Sequence, residues 1–424
     1  MDSETVDGET VDGETAIVAG AGIVGLCAAF ALQRQGIPTV LIDPGAERPA
    51  ASWGNAGHVA IEQVAPLASL DTLLSAPRRL TVAGGALALP LRDIGAWAPF
   101  VLRLARAARP ARFAAGKAAL SALLSQAMPA WRQLAADLRR PDLLIERGHM
   151  VVWQDRRRAR RGAAAWQAAD IGQARCRPAT AEELNRVTAV LRGPLAGGLT
   201  FENTGQVLDP GGVLAAVTEA FLAAGGTCLR QAVTGIAVTA GRAELRTDGG
   251  RSLGAGRILI AAGVGSGALL RPLGLTVPII AERGYHIQSA DHQWPAGLPP
   301  VVFEERSMIV SRFASGVRAA SFVELSRHEA PPTAAHWDRL ERHVRELGLP
   351  LAAPFSRWHG SRPTLPDYLP AIGRTRAASN LYYAFGHQHL GLTLAPVTAR
   401  LLLDLLTTGT PGPSLAAFSL DRFR

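Results

Sequence analysis

The stretch from Ala16 to Asp43 constrains the fold of this chain more than any other. It reads AIVAGAGIVGLCAAFALQRQGIPTVLID and predicts a short buried strand at Ala16–Ala19, a glycine turn, a helix to Gln35 and a second strand that ends at Asp43. A strand, a tight turn, a helix and a parallel strand within about 30 residues form a βαβ unit. The sequence therefore predicts an α/β fold organised on a parallel sheet.

Three glycines in the turn, Gly20, Gly22 and Gly25, have the spacing of a dinucleotide-binding turn. Gly20 permits the tight turn, Gly22 lets a pyrophosphate approach the backbone, and Gly25 lets the helix pack closely on the strand. The first helical residues, Ile23 and Val24, offer free N–H groups and the positive end of the helix dipole. These features predict a site for the phosphates of a dinucleotide.

An acidic residue closes this unit. Asp43 lies 18 residues after Gly25, where a carboxylate would bind the hydroxyl pair of a ribose. The competing interpretation is a membrane span, because residues 16–33 carry no charge. The preceding tail, MDSETVDGETVDGET, is acidic rather than basic, which is not typical of a signal peptide. Together with the glycine spacing, the tail favours a buried βα unit.

Composition limits the class of protein further. The 424 residues suffice for two domains, and 48% hydrophobic with 19% charged residues describe a globular enzyme. Cys27, Cys176 and Cys228 are too few and too scattered for a disulfide framework or a zinc site, which indicates a reducing, cytoplasmic compartment. We predict no metal site.

The net charge of +9 does not predict nucleic-acid binding. Lys117 is the only lysine, so the positive charge is almost entirely arginine, accompanied by abundant alanine. The densest run, at residues 156–161, is typical of a solvated loop. Unless Lys117 serves, the chain has no lysine for a Schiff base or a P-loop.

An acidic tail precedes the βαβ unit, and a helical region follows it. Residues 1–15 repeat ETVDG and predict a disordered acidic tail. From about Asp71 to Leu138 the pattern predicts helices. Between Leu89 and Phe113, arginines are mixed with leucines and aromatic residues. This mixture is typical of helices that cover a substrate domain, which we favour, and also of an amphipathic segment on a membrane surface.

The later segments predict two kinds of sheet. Arg257–Ala262 is a continuous apolar run, which predicts a central parallel strand whose following glycines face a ligand. A strand at Leu381–Ala384 leads through a second glycine-rich turn into a final helix. Alternating segments predict a second, antiparallel sheet, at Tyr285–Gln288, Val301–Phe303, Met308–Phe313 and Arg318–Val323.

Five motifs, taken together, resemble the family of FAD-dependent D-amino-acid oxidases and dehydrogenases, which includes glycine and sarcosine oxidases. They are AGAGIVG (19–25), QVLDP (206–210), IAAGVGS (260–266), RPTLPD with PAIG (362–373) and GHQHLGLTLAP (386–396). The resemblance covers essentially everything after the tail. Two further segments, SWGNAGH (52–58) and ERGYH (282–286), resemble the bacterial D-amino-acid dehydrogenases in particular.

The resemblance implies FAD and the residues that hold it. Besides the glycine turn with Ile23, Val24 and Asp43, the implied cofactor residues are Ser52, Asn55, Ala56, Gly57, His58, Val233, Ala262, Gly263, Gly386, His389, Leu390, Gly391, Leu392 and Thr393. Members with covalent flavin attach it through a cysteine or histidine. This chain has no cysteine after Cys228, and Gly54 follows Trp53 where a histidine would stand. We therefore expect noncovalent FAD.

The resemblance also implies the residues that meet the substrate. Arg362 stands at the family's clamp for the substrate carboxylate, and the planar fork of a guanidinium suits that role. Tyr285 and His286 are further candidates for the substrate pocket, although a strand Tyr–His pair is as often structural. Sarcosine oxidases of this fold use a lysine near the flavin to help oxygen react, and Lys117 lies in a helical stretch. This favours a dehydrogenase.

These implications combine into one prediction. A Rossmann-like FAD-binding domain is interleaved with an α+β substrate domain that carries the antiparallel sheet. The enzyme would transfer a hydride from Cα of a D-amino acid to flavin N5 and pass the electrons to a quinone or respiratory carrier, in the cytoplasm or on the inner face of the membrane. The alternatives are an oxygen-using glycine or sarcosine-type oxidase and a flavin electron-transfer subunit, against which Arg362 argues. The predicted boundaries are 16–90, 196–280 and 361–410 for FAD, 91–195 and 281–360 for substrate, and tails at 1–15 and 411–424.

Overall fold

The computed structural model describes residues 14–45, 50–408 and 413–424. The strands are β1 (Ala16–Ala19), β2 (Thr39–Ile42), β3 (His58–Val59), β4 (Leu87–Ala88), β5 (Leu144–Ile145), β6 (His149–Trp153), β7 (Cys176–Pro178), β8 (Gly197–Phe201), β9 (Gly205–Val207), β10 (Thr227–Leu229), β11 (Val233–Thr239), β12 (Arg242–Thr247), β13 (Ser252–Gly254), β14 (Arg257–Ile260), β15 (Ile280–Ser289), β16 (Val301–Phe303), β17 (Met308–Phe313), β18 (Gly316–Ser326), β19 (Ser356–Thr364), β20 (Ala371–Arg374) and β21 (Leu381–Phe385). The helices are α1 (Ile23–Arg34), α2 (Leu70–Arg79), α3 (Ile94–Ala107), α4 (Pro110–Leu124), α5 (Ala127–Asp137), α6 (Arg156–Ala168), α7 (Ala181–Thr188), α8 (Pro210–Ala223), α9 (Ser266–Leu270), α10 (Ala334–Leu347) and α11 (Gly391–Thr408).

The first sheet has the strand order β10-β2-β1-β14-β21-β20. Its neighbours are parallel except the edge strand β20, which runs antiparallel to β21. Ala16 of β1 lies opposite Thr39 of β2 and Arg257 of β14, so β1 and β14 form the centre of the sheet. Both strands are almost wholly apolar, as strands covered on both faces must be. The predicted βαβ unit and central parallel strand are confirmed.

The second sheet has the order β19-β15-β18-β17-β16-β6-β8-β7, and β4 joins it beside β18. Its pairs are antiparallel except β16 with β6 and β18 with β4. Helix α10 packs on β15 and β18. A bulge interrupts the β15–β18 register between Arg283 and Tyr285. The structure confirms the predicted mixed fold, with a parallel sheet and a largely antiparallel one in the same chain.

Two small sheets complete the architecture. Strands β11, β12 and β13 form an antiparallel meander. The sequence predicts a meander of Thr227–Arg230, Ile236–Thr239 and Ala243–Arg246, which is wrong for its first strand, because β10 pairs parallel to β2 in the first sheet and β13 takes its place in the meander. Strands β3, β9 and β5 form a short antiparallel sheet in which His58 pairs with Gln206. This second small sheet fixes the SWGNAGH loop next to the segment that leads into α8.

One local prediction is wrong, the favoured βα interpretation of residues 16–33 is confirmed, and the acidic repeat lies outside the described residues. Residues 156–161 were expected in a loop but begin α6, because Asp155 caps the helix by accepting a hydrogen bond from the N–H of Arg158 at 2.8 Å. Residues 16–33 form β1 and most of α1 rather than a membrane span. The acidic repeat at residues 1–13 lies outside the described residues.

The end of the chain is packed against the first sheet. Arg422 forms an ion pair with Asp367 at 2.6 Å, and the N–H of Leu420 donates to the hydroxyl of Tyr383 at 2.9 Å. Helix α11, taken from Gln388, is long and apolar enough to cross a membrane, but 67% of its most apolar window is buried inside the protein. These properties are those of a core helix.

Candidate active site

A cavity of about 2110 Å³ lies between the two large sheets, at the carboxyl ends of β1, β2 and β14. This is the position at which open α/β sheets bind ligands. The cavity is lined by many of the predicted residues: Gly20, Gly22, Ile23, Val24, Asp43, Ser52, Asn55, Ala56, His58, Val233, Ala262, Gly263, Tyr285, Arg362, His389, Gly391 and Leu392. Residues from distant parts of the sequence therefore converge on one space.

The glycine turn has a backbone that only glycine can adopt. Gly20 has a φ of +112°, and a Cβ there would lie 2.5 Å from the carbonyl oxygen of Ala261. A Cβ on Gly25 would lie 1.9 Å from the carbonyl oxygen of Gly20. Gly22 caps α1 and borders the cavity. The turn thus exposes the start of α1 to the cavity, which fits the pyrophosphate of a dinucleotide.

Asp43 and Ser52 brace this turn. One carboxylate oxygen of Asp43 accepts a hydrogen bond from the N–H of Ala21 at 2.8 Å, and the other accepts from Gly45 at 2.9 Å. The hydroxyl of Ser52 accepts from the N–H of Ile23 at 3.1 Å. Both side chains also border the cavity. The N–H of Ile23, which the sequence predicts to be free, is therefore already bonded to Ser52, and both side chains hold the turn at the edge of the cavity.

Several predicted cofactor residues lie behind the cavity wall instead of lining it: Gly25, Gly57, Gly386, Leu390 and Thr393. Gly57 has a φ of +75°, and a Cβ there would lie 2.4 Å from the Phe313 ring. The Thr393 hydroxyl accepts a hydrogen bond from the N–H of Ala60 at 3.0 Å. The structure gives these positions packing contacts that hold the wall in place.

Arg362 reaches the cavity from β19 and is anchored on one side only. Its Nη1 donates to the carbonyl oxygen of Phe322 at 3.1 Å and to Oε1 of Glu282 at 3.4 Å. Within the described residues, all hydrogen bonds of its guanidinium come from Nη1. The arginine side chain is 26% exposed, whereas that of Glu282 is 1% exposed. The remaining guanidinium N–H groups are therefore available to a ligand.

Glu282 is held by hydroxyl groups behind the arginine. Its Oε2 accepts hydrogen bonds from Tyr368 at 3.0 Å and from Thr364 at 3.2 Å. Burial, and then the Glu282 carboxylate, raise the pKa of Tyr368 well above its usual range, so the phenol stays a donor. The buried carboxylate is thus satisfied on both oxygens and fixes one edge of the guanidinium.

Glycines make room for the large side chains of this wall. A Cβ on Gly284 would lie 2.2 Å from Nη2 of Arg362. Gly360 pairs with Gly284, and a Cβ on Gly360 or on Gly54 would lie 2.1 Å from the Trp358 ring. The indole and the guanidinium can therefore lie flat against the strands.

The two candidates adjacent to Gly284 have different surroundings. Tyr285 borders the cavity, but its hydroxyl donates to Oε1 of Glu324 at 2.9 Å and accepts from the N–H of Thr333 at 3.1 Å. Burial is the main cause that raises the pKa of Tyr285 to about 12. The phenol hydroxyl is thus engaged in a buried network that also contains the Arg283–Glu324 ion pair.

His286 was expected in the substrate pocket, yet it is not part of the cavity wall. Its ring stacks on Trp358, with centroids 4.9 Å apart, and its Nδ1 is 3.1 Å from the carbonyl oxygen of Gly54. Burial, and then the charge of Arg318, lower its pKa well below its usual range. A neutral His286 therefore supports Trp358, which does line the cavity.

Two predicted histidines line the cavity, and each shares a hydrogen bond with a neighbouring side chain. His389 shares a hydrogen bond with Oε1 of Gln63, and burial lowers its pKa to about 4. Nε2 of His58 is 3.1 Å from Oε1 of Glu62, and its Nδ1 is 3.2 Å from the carbonyl oxygen of Gly205. Both imidazoles are fixed in orientation before any ligand binds.

Sequence reasoning did not assign Glu282, Gly284 or Arg318. Arg318 donates from Nη1 to the carbonyl oxygens of Trp53 and Asn55, and its guanidinium lies 5.4 Å from the Trp53 ring centroid. Burial lowers its pKa to about 10. Glu282 and Gly284 lie in the ERGYH segment, so the resemblance of that segment to the family was a signal that could have identified them. Arg318 is an isolated arginine in a strand and offers no such signal.

Comparisons with known proteins give a consistent result. Residues 15–405 match the family model described as FAD dependent oxidoreductase (DAO). A D-amino-acid oxidase of Bradyrhizobium diazoefficiens is 30% identical over 96% of this chain and 98% of its own. A D-amino acid dehydrogenase of Cereibacter sphaeroides is 27% identical over 96% and 95%. The solved glycine oxidase of Geobacillus kaustophilus superposes with a TM-score of 0.68 at 20% identity, over 96% and 97%.

Proposed function

This chain belongs to the family of FAD dependent oxidoreductases (DAO) and is an FAD-dependent oxidoreductase of amino acids; we propose that its substrate is a D-amino acid. The reaction removes a hydride from Cα and a proton from the neutral amine. The imino acid that results adds water to give a 2-oxo acid and ammonia, or remains a cyclic imine when the substrate resembles D-proline.

The cavity has residues that fit FAD along one side. We assign the pyrophosphate to the Gly20–Gly22 turn and the start of α1, and the ribose to Asp43, because a helix N-terminus and a carboxylate suit those groups. His58, His389 and Gly391 border the same cavity. When bound, FAD supplies the two-electron acceptor, its N5, for the hydride. Among the described residues no cysteine lines the cavity, and Gly54 follows Trp53 where an attaching histidine would stand, so we propose noncovalent FAD.

The observation that carries the assignment of an amino-acid substrate is the one-sided anchoring of Arg362, and the D configuration follows the names of the two relatives. Because Glu282 and Phe322 hold Nη1 alone, the other donors can form a bidentate pair with a carboxylate. A fixed carboxylate in turn fixes Cα of the substrate relative to the wall. An electron-transfer subunit without a substrate would need no such group.

We propose a quinone or other respiratory carrier as the electron acceptor. Lys117, the only lysine of the sequence, forms an ion pair with Asp170 at 2.9 Å and does not line the cavity. The lysine that helps oxygen react in sarcosine oxidases therefore has no counterpart here. The second candidate is an oxygen-using oxidase, which the name of the Bradyrhizobium relative favours.

An apolar surface supports contact with the inner face of the cell membrane. Large apolar side chains on α2, α3 and the segment between them are exposed, with Leu74 at 79%, Val82 at 92% and Leu91 at 81%. Arginines flank them, and Arg78 and Arg79 also border the cavity. An arginine-flanked apolar patch suits an anionic lipid surface, where a quinone would be available.

The test is anaerobic reduction of the bound flavin by a panel of D-amino acids, D-proline, 4-hydroxy-D-proline, glycine and sarcosine. We expect at least one D-amino acid to bleach the flavin faster than glycine and sarcosine do. Bleaching by glycine or sarcosine alone would replace the proposal with the amine-oxidase alternative. Reoxidation by a soluble quinone and by air, measured in stopped flow, then assigns the acceptor.

A further inference from the structure

Three side chains that commonly bind metals meet at the cavity wall. His58 lies on β3, Glu62 follows four residues later, and His149 begins β6. One ligand atom from each lies within 4.8 Å of the other two. The imidazole centroids of His58 and His149 are 4.3 Å apart. The side chains of His58 and Glu62 are 9% and 2% exposed, and His149 is 2% exposed.

Both imidazoles have the outer contacts of metal-bound histidines. Nδ1 of His58 is 3.2 Å from the carbonyl oxygen of Gly205, and Nδ1 of His149 is 2.8 Å from the hydroxyl of Thr204. In metal sites the second ring nitrogen donates to such an acceptor, which fixes the tautomer and directs the other nitrogen to the ion. Because Thr204 and Gly205 are adjacent, one short segment orients both rings.

Glu62 has a buried oxygen without a partner. Its Oε1 contacts His58, whereas Oε2 is buried and has no hydrogen bond within the described residues. A buried carboxylate oxygen is costly unless something compensates it. Phe201 stacks on His149 with centroids 4.3 Å apart and closes that side of the cluster. A cation among the three groups would satisfy the orphan oxygen.

We propose that His58, Glu62 and His149 bind a divalent transition-metal ion of the Zn²⁺ class. Two imidazoles and one carboxylate are a donor set that zinc and its neighbours accept, whereas Mg²⁺ and Ca²⁺ prefer oxygen ligands throughout. The ion joins β3 of a small sheet to β6 of the second large sheet, so its role is to stabilise this part of the cavity wall. The sequence did not indicate it, because 87 residues separate Glu62 from His149.

The test is the metal content of the full-length, FAD-loaded protein, purified without a polyhistidine tag or chelator. We expect about one Zn²⁺ per chain by mass spectrometry. Stripping the metal with a chelator should lower Tm by roughly 3–6 °C, and added Zn²⁺ should restore it. Glu62→Gln and His149→Gln should lose both the metal and the Tm response. His343→Gln, which alters a histidine near Glu346 outside the cluster, should keep both.

Two results would overturn the proposal. One is wild-type protein that carries no metal and whose Tm does not respond to Zn²⁺, a measurement that needs no variant to fold. The other is a Glu62→Gln protein that binds Zn²⁺ as tightly as the wild type. Either would make the three side chains a hydrogen-bonded packing cluster. Because no substrate is used, neither result depends on the proposed reaction.

Discussion

Two arginine–glutamate pairs each include one residue of β15, and they have different roles. The Arg362–Glu282 pair is 3.4 Å long, and its arginine is 26% exposed toward the cavity. The Arg283–Glu324 pair is 3.1 Å long, and both its side chains are at most 1% exposed. Glu282 and Arg283 are neighbours in sequence, but successive strand residues point to opposite faces of the sheet. One face of β15 therefore offers a charge to a ligand, while the other buries a charge pair beneath α10.

The difference shows how a single strand separates binding from stability. On the cavity face, Gly284 leaves room for the guanidinium of Arg362, and Gly360 leaves room for the ring of Trp358. On the buried face, Glu324 accepts hydrogen bonds from Tyr285, Thr333 and His336. Breaking the first pair should change kinetics, and breaking the second should change the free energy of unfolding. The following substitutions test that separation.

The largest effect is expected for Arg283→Met. Removing one partner of a buried pair leaves an uncompensated charge, so the free energy of unfolding should fall by about 3–5 kcal/mol. Urea unfolding of the purified protein measures it. The matched control is Arg345→Met, which breaks a pair whose arginine is 66% exposed and should cost less than about 1 kcal/mol. Equal losses of unfolding free energy in the two variants would contradict the proposal that the buried Arg283–Glu324 pair stabilises the fold more than an exposed pair does.

Gly284→Ala should damage the cavity face. The new Cβ would lie 2.2 Å from Nη2 of Arg362, so the guanidinium must move away from its position. A displacement of this size lowers kcat/KM by on the order of 100-fold, with FAD content unchanged. The control is Gly235→Ala in β11, where a Cβ meets nothing within 4 Å. Steady-state kinetics at full flavin occupancy measure the effect. Wild-type kinetics for Gly284→Ala would show that the position of the Arg362 guanidinium does not depend on the space at Gly284.

Arg362→Lys keeps the charge but loses the two-bond fork. Charge-assisted hydrogen bonds are worth roughly 1.5–3 kcal/mol, so kcat/KM should fall by about one to two orders of magnitude. The rate of flavin reduction should fall as well, because the clamp fixes Cα. Arg357→Lys on the same strand is the control, since Arg357 pairs with Glu341 and Asp338 of α10. Wild-type reduction kinetics in Arg362→Lys would remove the residue from the site, and lost FAD would make it structural.

Distance along the chain decides which features the sequence could predict. The βαβ unit lies within 28 residues, and its turn depends on three glycines whose roles are local. The Glu282–Arg362 pair joins residues 80 apart, and their meeting depends on β15 pairing with β19. The side of β15 on which Tyr285 lies depends on a bulge opposite Phe322, whose φ is +71°. No periodicity in the sequence encodes that bulge.

The error at residues 156–161 has a different origin, because there the signal was local. Asp155 is a good N-cap, and alanine and arginine both favour a helix. A dense run of positive charge does not oppose a helix here, because α6 keeps its arginines in solvent. The correct part of the expectation, that the run is solvated, holds for α6: most of its residues are exposed or half-buried.

The smallest effect is expected for Tyr285→Phe, which removes one donor to Glu324. The free energy of unfolding should fall by roughly 1.5 kcal/mol, the lower end of the range for a hydrogen bond to a charged group, while kcat/KM stays at the wild-type value, because the hydroxyl faces the buried network. Tyr383→Phe is the control, since its hydroxyl also accepts from a backbone N–H. A large loss of kcat/KM in Tyr285→Phe would place the phenol in the reaction.

The pH dependence of this loss distinguishes the two tyrosines. Burial acts to raise the pKa of Glu324, but hydrogen bonds from His336, Thr333 and Tyr285 lower it from 4.5 to about 2. A carboxyl whose pKa is lower in the folded state stabilises the protein above its unfolded pKa, and this contribution disappears as the pH falls toward the folded pKa. The Tyr285→Phe deficit should therefore be full at pH 6 and shrink between about pH 4.5 and 2. The Tyr383→Phe deficit should stay constant over that range, because its bond involves no carboxylate. Urea unfolding of both variants across this pH series makes the comparison, and parallel curves would show that Tyr285 does not stabilise the ionised Glu324.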